Sequence, residues 1–254
     1  MMPVYSHNDY ESASPFFGAL ANGYRGVEAD VFLVDGVLRV GHDRRQARKG
    51  ESFEALYLEP LERLLSKCGR VTDYSVPFLL AIEIKERSSA THDSLIALLQ
   101  RYPAFRERAH PVLGGARPLQ VVLVGWHPPS NGRTAAGGAP DDFPVDMQHR
   151  LTRSDTAGLG ALDPRVRLVS VDYGKTMGRW WTTAGQRRRW MAALRGVKTA
   201  APGRILRVHN VPQDGRIYDA LLAAGVDVIG IKPRIRMDPE WIWHDPRLPK
   251  LHEP

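Results

Sequence analysis

The 254-residue sequence is poor in cysteine and has no long hydrophobic run. Its single cysteine, Cys68, excludes an internal disulfide and any metal site built from several thiolates. The stretch PFLLAI at residues 77–82 is among the longest apolar runs, whereas a membrane-spanning helix needs about 18 apolar residues or more. We therefore expect no transmembrane segment, and only peripheral contact with a membrane is left open.

No secretory leader is visible in the sequence either. The chain opens MMPVYSHND, and the first candidate site residue is already His7. We expect a cytoplasmic protein if the chain is read as numbered, and a secreted one if a leader has been removed.

Nucleotide- and nucleic-acid-binding motifs are missing as well. No GxGxxG or GxxxxGKS/T loop follows the first predicted strand, which argues against dinucleotide and nucleotide cofactors. The densest basic run, QRRRW at residues 186–190, lacks the interleaved aromatic residues of a single-strand binder. The net charge of +7 still favours anionic partners such as phosphate esters or lipid head groups; a basic surface without a specific partner is the alternative.

Strand-like and helix-like segments alternate along the whole sequence. Apolar runs with strand composition lie at residues 4–5, 26–32, 78–84, 119–124, 166–171, 205–208 and 226–231. Helical patterns lie at residues 13–21, 53–67, 91–102, 183–195 and 214–224, with Gly69, Thr183, Asp214 and Gly225 as cap candidates and Gly196 beyond the fourth helix. An eighth candidate strand lies at residues 145–151, after a stretch at 127–144 rich in glycine and proline that we interpret as a long loop.

This alternation predicts an α/β fold. Several of the strands are nearly continuously apolar, as expected for parallel strands covered on both faces. A doubly wound sheet and a (β/α)8 barrel both fit the pattern. Because polar residues collect where the strands end, as at the mouth of a barrel, we predict a single (β/α)8 TIM-barrel domain over residues 1–254.

Two carboxylates in the second predicted strand are the first candidate site residues. Glu28 and Asp30 are two apart, so their side chains point to the same face of the strand. Two inward-facing carboxylates repel each other and are costly to bury, and a divalent cation such as Mg²⁺ or Ca²⁺ resolves both problems. The alternative is that they face solvent or pair with Arg25 and Arg39.

The third predicted strand ends in a similar way, with Glu83 and Lys85 again two apart. Glu83 can complete the metal site, and Lys85 can donate to a phosphate oxygen. Taken alone, this pair is also typical of a surface ion pair.

Two histidines flank the acidic pair in the sequence. His7 and His42 can supply the base and the acid that phosphodiester cleavage requires, although isolated histidines are more often packed or surface residues. Further histidines that could line the mouth are His127, His149, His209 and His244. His209, beside Asn210 after a predicted strand, is the best of these.

Together these residues resemble a known family. The residues concerned are His7, Glu28-x-Asp30, Gly41-His42-Asp43 and Glu83-x-Lys85, and they are similar to the motif series of the glycerophosphodiester phosphodiesterase, or PI-PLC-like, superfamily. The stretch SHNDY to GHD at residues 6–43 most resembles the Aim6-like branch. The resemblance implies a TIM barrel with a metal on Glu28, Asp30 and Glu83, with His7 and His42 as the acid–base pair and Lys85 near the phosphate.

The sequence departs from the common family pattern at one motif. Typical glycerophosphodiesterases have His-Arg-Gly, in which the arginine contacts phosphate, whereas Asn8 and Asp9 follow His7 here. We therefore expect the phosphate contact to come from elsewhere. Asn8, His209 and Lys232 are the candidate substrate-binding residues, although Lys232 also fits a surface lysine.

The sequence thus predicts a metal-dependent phosphodiesterase acting on a glycerophosphodiester- or phospholipid-like substrate. Direct attack by water and a route through a cyclic phosphate need the same residues. The alternatives are a lyase or cyclase acting on a specialised-metabolite phosphate, and a noncatalytic barrel that binds anions or lipid through Arg187, Arg188 and Arg189.

Overall fold

The computed structural model describes residues 2–73, 76–102, 105, 118–126, 145–148, 159, 162, 165–177 and 183–233. The predicted loop at 127–144 lies outside the described residues, as do His127, His149 and His244. Among the helices in the described part, none is long and apolar enough to cross a membrane.

Eight parallel strands form a closed ring, which confirms the predicted (β/α)8 barrel. Including β3, which is not part of the ring, the described strands are β1 (Met2–Ser6), β2 (Tyr24–Val34), β3 (Val37–Val40), β4 (Phe78–Ile84), β5 (Leu119–Gly125), β6 (Val145–Gln148), β7 (Val166–Asp172), β8 (Ile205–His209) and β9 (Val228–Ile231). β1 pairs with β2 on one side and with β9 on the other, and the remaining strands follow in sequence order. β3 stands outside the ring, antiparallel to the end of β2. The hairpin that it forms returns the chain to the mouth of the barrel.

Helices follow β1, β3, β4, β7 and β8 in the described part of the chain. They are α1 (Phe17–Ala21), α2 (Arg44–Ala47), α3 (Glu59–Cys68), α4 (Ser89–Gln100), α5 (Tyr173–Met177), α6 (Ala184–Ala200) and α7 (Gly215–Ala223), with a 3-10 turn at Asp9–Glu11 and a π-helical turn at Glu54–Leu58. The cap predictions for Thr183 and Asp214 are confirmed, because their side chains accept hydrogen bonds from backbone N–H groups of the first turn, at 3.1 Å and 2.9 Å. Gly69 ends α3 with φ 66°, the left-handed conformation that glycine adopts without strain.

Two predicted helix boundaries are wrong. The helix predicted from residue 13 begins only at Phe17, because the carboxylate of Asp9 accepts a 2.6 Å hydrogen bond from the backbone N–H of Phe16 and holds that residue at φ 61°. The helix predicted to end before Gly196 continues to Ala200. An internal glycine costs about 1 kcal/mol relative to alanine, and the burial of Leu194 and Val197 on either side of it offsets that cost.

The interior of the barrel changes from apolar to polar along the strands. Inward positions of β4, β5 and β7 form a small apolar cluster of Leu79, Ala81, Val122, Val124 and Leu168, against which Ile205 of β8 packs. Inward positions recur every second residue, so the next ones on β4 and β8 are Glu83 and Arg207. The polar layers therefore lie toward the carboxyl ends of the strands, where barrel enzymes carry their chemistry.

Candidate active site

Three carboxylates meet inside the barrel mouth. Glu28 and Asp30 both face inward from β2, and the register of β2 with β4 places Asp30 beside Glu83. One ligand oxygen from each of the three lies within 4.8 Å of the others. The sequence therefore identified a set of residues that the fold brings together. Arg25 and Arg39, the alternative partners of these carboxylates, instead donate hydrogen bonds to the backbone oxygens of Asp227 and Gly50.

The two oxygens of Asp30 have different surroundings. Oδ2 accepts a 2.7 Å hydrogen bond from the Tyr10 hydroxyl and lies 3.1 Å from Lys85 Nζ and 3.3 Å from His42 Nδ1. Oδ1 is buried, and no described residue gives it a hydrogen bond. Burial, reinforced by the charge of Glu83 and opposed by Lys85, raises the pKa of Asp30 to about 7. Oδ1 is thus a buried acceptor that a cation can satisfy.

Glu28 is held from two sides. Its Oε2 accepts a 2.9 Å hydrogen bond from the Tyr5 hydroxyl and lies 3.7 Å from His7 Nε2, while Oε1 lies 3.6 Å from Arg207 Nη1. Burial alone would raise the pKa of this carboxyl, but Arg207 and His7 outweigh it, so the pKa is lowered. Glu28 is therefore an anion although it is only 1% exposed.

Lys85 links the other two carboxylates. Its Nζ lies 2.9 Å from Glu83 Oε2 and 3.1 Å from Asp30 Oδ2. Burial opposes the charged form, yet the two carboxylates raise the pKa of Lys85 above its ordinary value. Gly125, at the end of β5, has φ 79°, and a Cβ there would lie 3.0 Å from Glu83 Cγ, so only glycine lets that side chain lie against β5.

The two histidines lie at different depths. The side chain of His7 is 15% exposed and adjoins Glu28, whereas that of His42 is 57% exposed and adjoins Asp30 on the rim. Burial, partly opposed by Glu28, lowers the pKa of His7, so its imidazole is neutral near pH 7. Asn8 adopts φ 56° and places its Nδ2 3.4 Å from His42 Nδ1.

A third histidine lies next to His7. The ring of His209 packs edge-on against that of His7 with 5.9 Å between centroids, and its Nε2 lies 3.7 Å from Asp172 Oδ2. Asn210 donates a 3.0 Å hydrogen bond to the same carboxylate. Burial, reinforced by Arg207, lowers the pKa of His209 to about 4, so this ring is also neutral. Lys232 is exposed directly after β9 and has no ion-pair partner among the described residues.

Asp9 stabilises a turn and makes no contact with the three carboxylates among the described residues. It is buried, and its Oδ2 accepts hydrogen bonds from the Phe16 backbone N–H at 2.6 Å and the Tyr57 hydroxyl at 3.2 Å. These bonds fix the turn that follows β1, which carries Asn8 and Tyr10. Asp9 therefore anchors the turn that positions Asn8 and Tyr10.

Sequence reasoning missed four residues around the carboxylates: Tyr5, Tyr10, Asp146 and Arg207. The inward position of Arg207 could have been predicted, because it stands two residues before His209 in the strand ILRVH and therefore shares its inward face. The roles of Tyr5 and Tyr10 could not have been predicted, since aromatic residues in β1 and in the turn after it are equally typical of core packing.

The donor set fits a hard divalent cation. Three carboxylates offer oxygen atoms, one of them the buried Oδ1 of Asp30 that the described residues leave without a hydrogen bond. Mg²⁺ and Ca²⁺ both prefer carboxylate oxygens, so the residues present suit either ion.

Comparison with known proteins finds matches to the first third of the chain. Residues 1–78 match the family described as AIM6-like phosphodiesterase domain. The Altered inheritance of mitochondria protein 6 homolog of Arthroderma benhamiae is 42% identical over 72 residues, which are 26% of this chain and 23% of that protein. Altered inheritance of mitochondria protein 6 of Eremothecium gossypii is 42% identical over 66 residues, 25% of this chain and 17% of that protein.

The match confirms the Aim6-like resemblance for this segment. It contains His7, Glu28, Asp30 and His42, while Glu83 and Lys85 lie beyond residue 78. The matched segment spans only 23% and 17% of the length of these two relatives.

Proposed function

We propose that this protein is a metal-dependent phosphodiesterase that cleaves a glycerophosphodiester- or phospholipid-like substrate with His7 and His42 as acid and base. The observation that carries the proposal is the convergence of three carboxylates within 4.8 Å, with one imidazole beside Glu28 and another beside Asp30. The match of residues 1–78 to a phosphodiesterase domain supports the reaction class.

Glu28, Asp30 and Glu83 would hold Mg²⁺ or Ca²⁺, with Asp30 contributing the Oδ1 that receives no hydrogen bond from the described residues. The bound ion would supply the polarisation of a phosphoryl oxygen. Lys85, which stays charged between Asp30 and Glu83, would donate to another phosphate oxygen and offset its charge. Positive charge is thereby placed where the negative charge of the transition state develops.

The depths of the two histidines support a division of labour. His7 is only partly exposed and is neutral, so in this proposal it accepts the proton of the attacking hydroxyl or water. His42 is on the solvent-facing rim and donates a proton to the leaving oxygen. If the substrate carries a neighbouring hydroxyl, that group attacks first and the product is a cyclic phosphate.

Asn8, His209 and Lys232 are the proposed substrate contacts. Asn8 adjoins the rim histidine, with its Nδ2 3.4 Å from His42 Nδ1, so its amide would lie beside a substrate held by His42. His209 lies within ring contact of His7. Lys232 is exposed directly after β9 and has no ion-pair partner among the described residues, so it suits an anionic group that reaches the rim.

The test is hydrolysis of bis(4-nitrophenyl) phosphate by protein treated with EDTA and then supplied with Mg²⁺ or Ca²⁺. We expect activity only with the ion, and a loss of at least about 100-fold in kcat for His7→Ala. Asp35→Asn is the control, since Asp35 is exposed at φ 50°, a conformation that asparagine tolerates. Full activity in EDTA or in His7→Ala would refute the proposal, and ³¹P NMR of the products on a glycerophosphodiester distinguishes hydrolysis from a cyclase or lyase reaction.

A further inference from the structure

An arginine is enclosed within the barrel beneath the three carboxylates. The side chain of Arg207 on β8 is 2% exposed, and its guanidinium carbon lies 5.3 Å from the centroid of the Tyr5 ring. Nη1 lies 3.6 Å from Glu28 Oε1, and Nη2 lies 3.8 Å from Asp146 Oδ2. Removing a guanidinium from water is costly, and replacing such an ion by an apolar residue is often neutral or stabilising. Packing alone therefore does not account for this residue.

The charges around Arg207 show what it balances. Four carboxylates, those of Glu28, Asp30, Glu83 and Asp146, each lie within ion-pair distance of Lys85 or Arg207. When all four are ionised, as metal binding at Asp30 requires, four negative charges against two positive ones leave the charge that one divalent ion would supply. Arg207 is thus part of a balanced set of charges that includes the proposed metal.

The contacts of Glu28 show how Arg207 acts. Tyr5 donates a 2.9 Å hydrogen bond to Oε2, and Arg207 Nη1 lies 3.6 Å from Oε1, in ion-pair range but beyond a hydrogen bond, so the guanidinium charge attracts the second oxygen. Asp146 restrains Arg207 on the other side, and its own Oδ1 accepts a 3.3 Å hydrogen bond from the Gly125 backbone N–H. A continuous series of contacts therefore runs from β5 through β6 and β8 to the carboxylate on β2.

We propose that Arg207 is a positioning residue that acts through Glu28, fixing the direction in which this carboxylate faces the metal. This inference rests on the proposed metal site. With only 2% of its side chain exposed, Arg207 does not reach a substrate in the mouth, so it is not a catalytic residue. Mutating groups that orient metal ligands in this way typically weakens metal affinity by roughly 10- to 100-fold.

The experiment measures Mn²⁺ binding to the full chain by EPR or calorimetry, independently of turnover. We expect Arg207→Met to raise the dissociation constant for Mn²⁺ by at least about tenfold. The matched control is Arg25→Met: Arg25 is a second buried arginine, 8% exposed, near the start of β2 at the opposite end of the barrel, where it donates to the Asp227 backbone oxygen. Arg25→Met should lower thermal stability but leave Mn²⁺ affinity within about twofold of wild type.

Two further variants separate positioning from charge balance. Arg207→Met combined with Asp146→Asn also neutralises the carboxylate that loses its guanidinium neighbour, so it should recover stability but not Mn²⁺ affinity. Recovery of Mn²⁺ affinity would show that Arg207 only neutralises Asp146, and would overturn the proposal.

Arg207→Lys keeps the charge but loses the planar fork that contacts two carboxylates. We expect it to bind Mn²⁺ more weakly than wild type, by about threefold or more, and this result decides the matter even if the methionine variant does not fold. Wild-type affinity in Arg207→Lys or in Arg207→Met overturns the positioning role alone. Failure of the wild-type protein to bind Mn²⁺ overturns the proposed metal site and this role together.

Discussion

The hydroxyl of Tyr10 donates a 2.7 Å hydrogen bond to Asp30 Oδ2. Together with Lys85 at 3.1 Å, it occupies that oxygen, whereas Oδ1 receives no hydrogen bond from the described residues. The turn after β1 therefore contributes to the geometry of the carboxylates on β2 and β4, although it supplies no carboxylate to the cluster.

We predict that Tyr10→Phe weakens divalent-metal binding by about tenfold, because Asp30 loses the donor that fixes its orientation. Calorimetric titration with Mg²⁺ measures this effect. Tyr102→Phe is the matched control: it also removes a tyrosine–carboxylate hydrogen bond, of 2.6 Å to Glu54, but on the outside of the barrel. Equal metal affinities in the two variants would contradict the assigned role of Tyr10.

The pH dependence of metal binding should follow Asp30. Burial and the neighbouring Glu83 raise the pKa of Asp30 to about 7, so below that pH a proton competes with the metal for this carboxylate. We expect affinity for Mg²⁺ to increase as the pH rises from 6 to 8, by up to about tenfold per pH unit below 7. Calorimetry in buffers of different ionisation enthalpy should also detect proton release on binding, and Asp30→Asn should abolish it. Affinity that does not change with pH would refute the prediction.

The sequence predicted the carboxylates and histidines because each belongs to a local pattern. Glu28 and Asp30 are two apart on one strand, and Glu83 stands at the equivalent end of the next strand of the ring, so strand geometry alone brings them together. The contact between Arg207 and Glu28 depends instead on ring closure, which no local pattern encodes. The late start of α1 was unpredictable for a similar reason, because it depends on a hydrogen bond between Asp9 and the backbone of Phe16.

Gly230 provides a test of the packing beneath the site. It pairs with Tyr5 across β9 and β1, and a Cβ at this position would lie 2.6 Å from Tyr5 Cε1 and 2.9 Å from its hydroxyl oxygen. We predict that Gly230→Ala displaces the Tyr5 ring from Glu28, lowers the free energy of unfolding by about 1–3 kcal/mol and weakens Mg²⁺ binding. Urea denaturation and calorimetry measure the two effects. Gly18→Ala in α1, where a Cβ meets only an ordinary 3.6 Å contact, should leave Mg²⁺ binding unchanged.

The N-cap of α7 should make stability depend on acid pH. Hydrogen bonds from Arg216, first from its side chain and then from its backbone N–H, lower the pKa of Asp214 in the folded state. A lowered carboxyl pKa stabilises the fold above the unfolded-state pKa of about 4, and this contribution is lost as the pH falls through the folded-state pKa. Asp214→Ala should therefore cost about 1 kcal/mol at pH 7 and less at pH 3, as measured by urea denaturation.

Thr183→Ala is the matched control for the α7 cap, because Thr183 caps α6 with a hydroxyl that does not titrate. It should cost a similar amount, about 1 kcal/mol, at both pH values. If the costs of the two substitutions change with pH in parallel, the pH dependence comes from the fold as a whole and not from the Asp214 carboxylate.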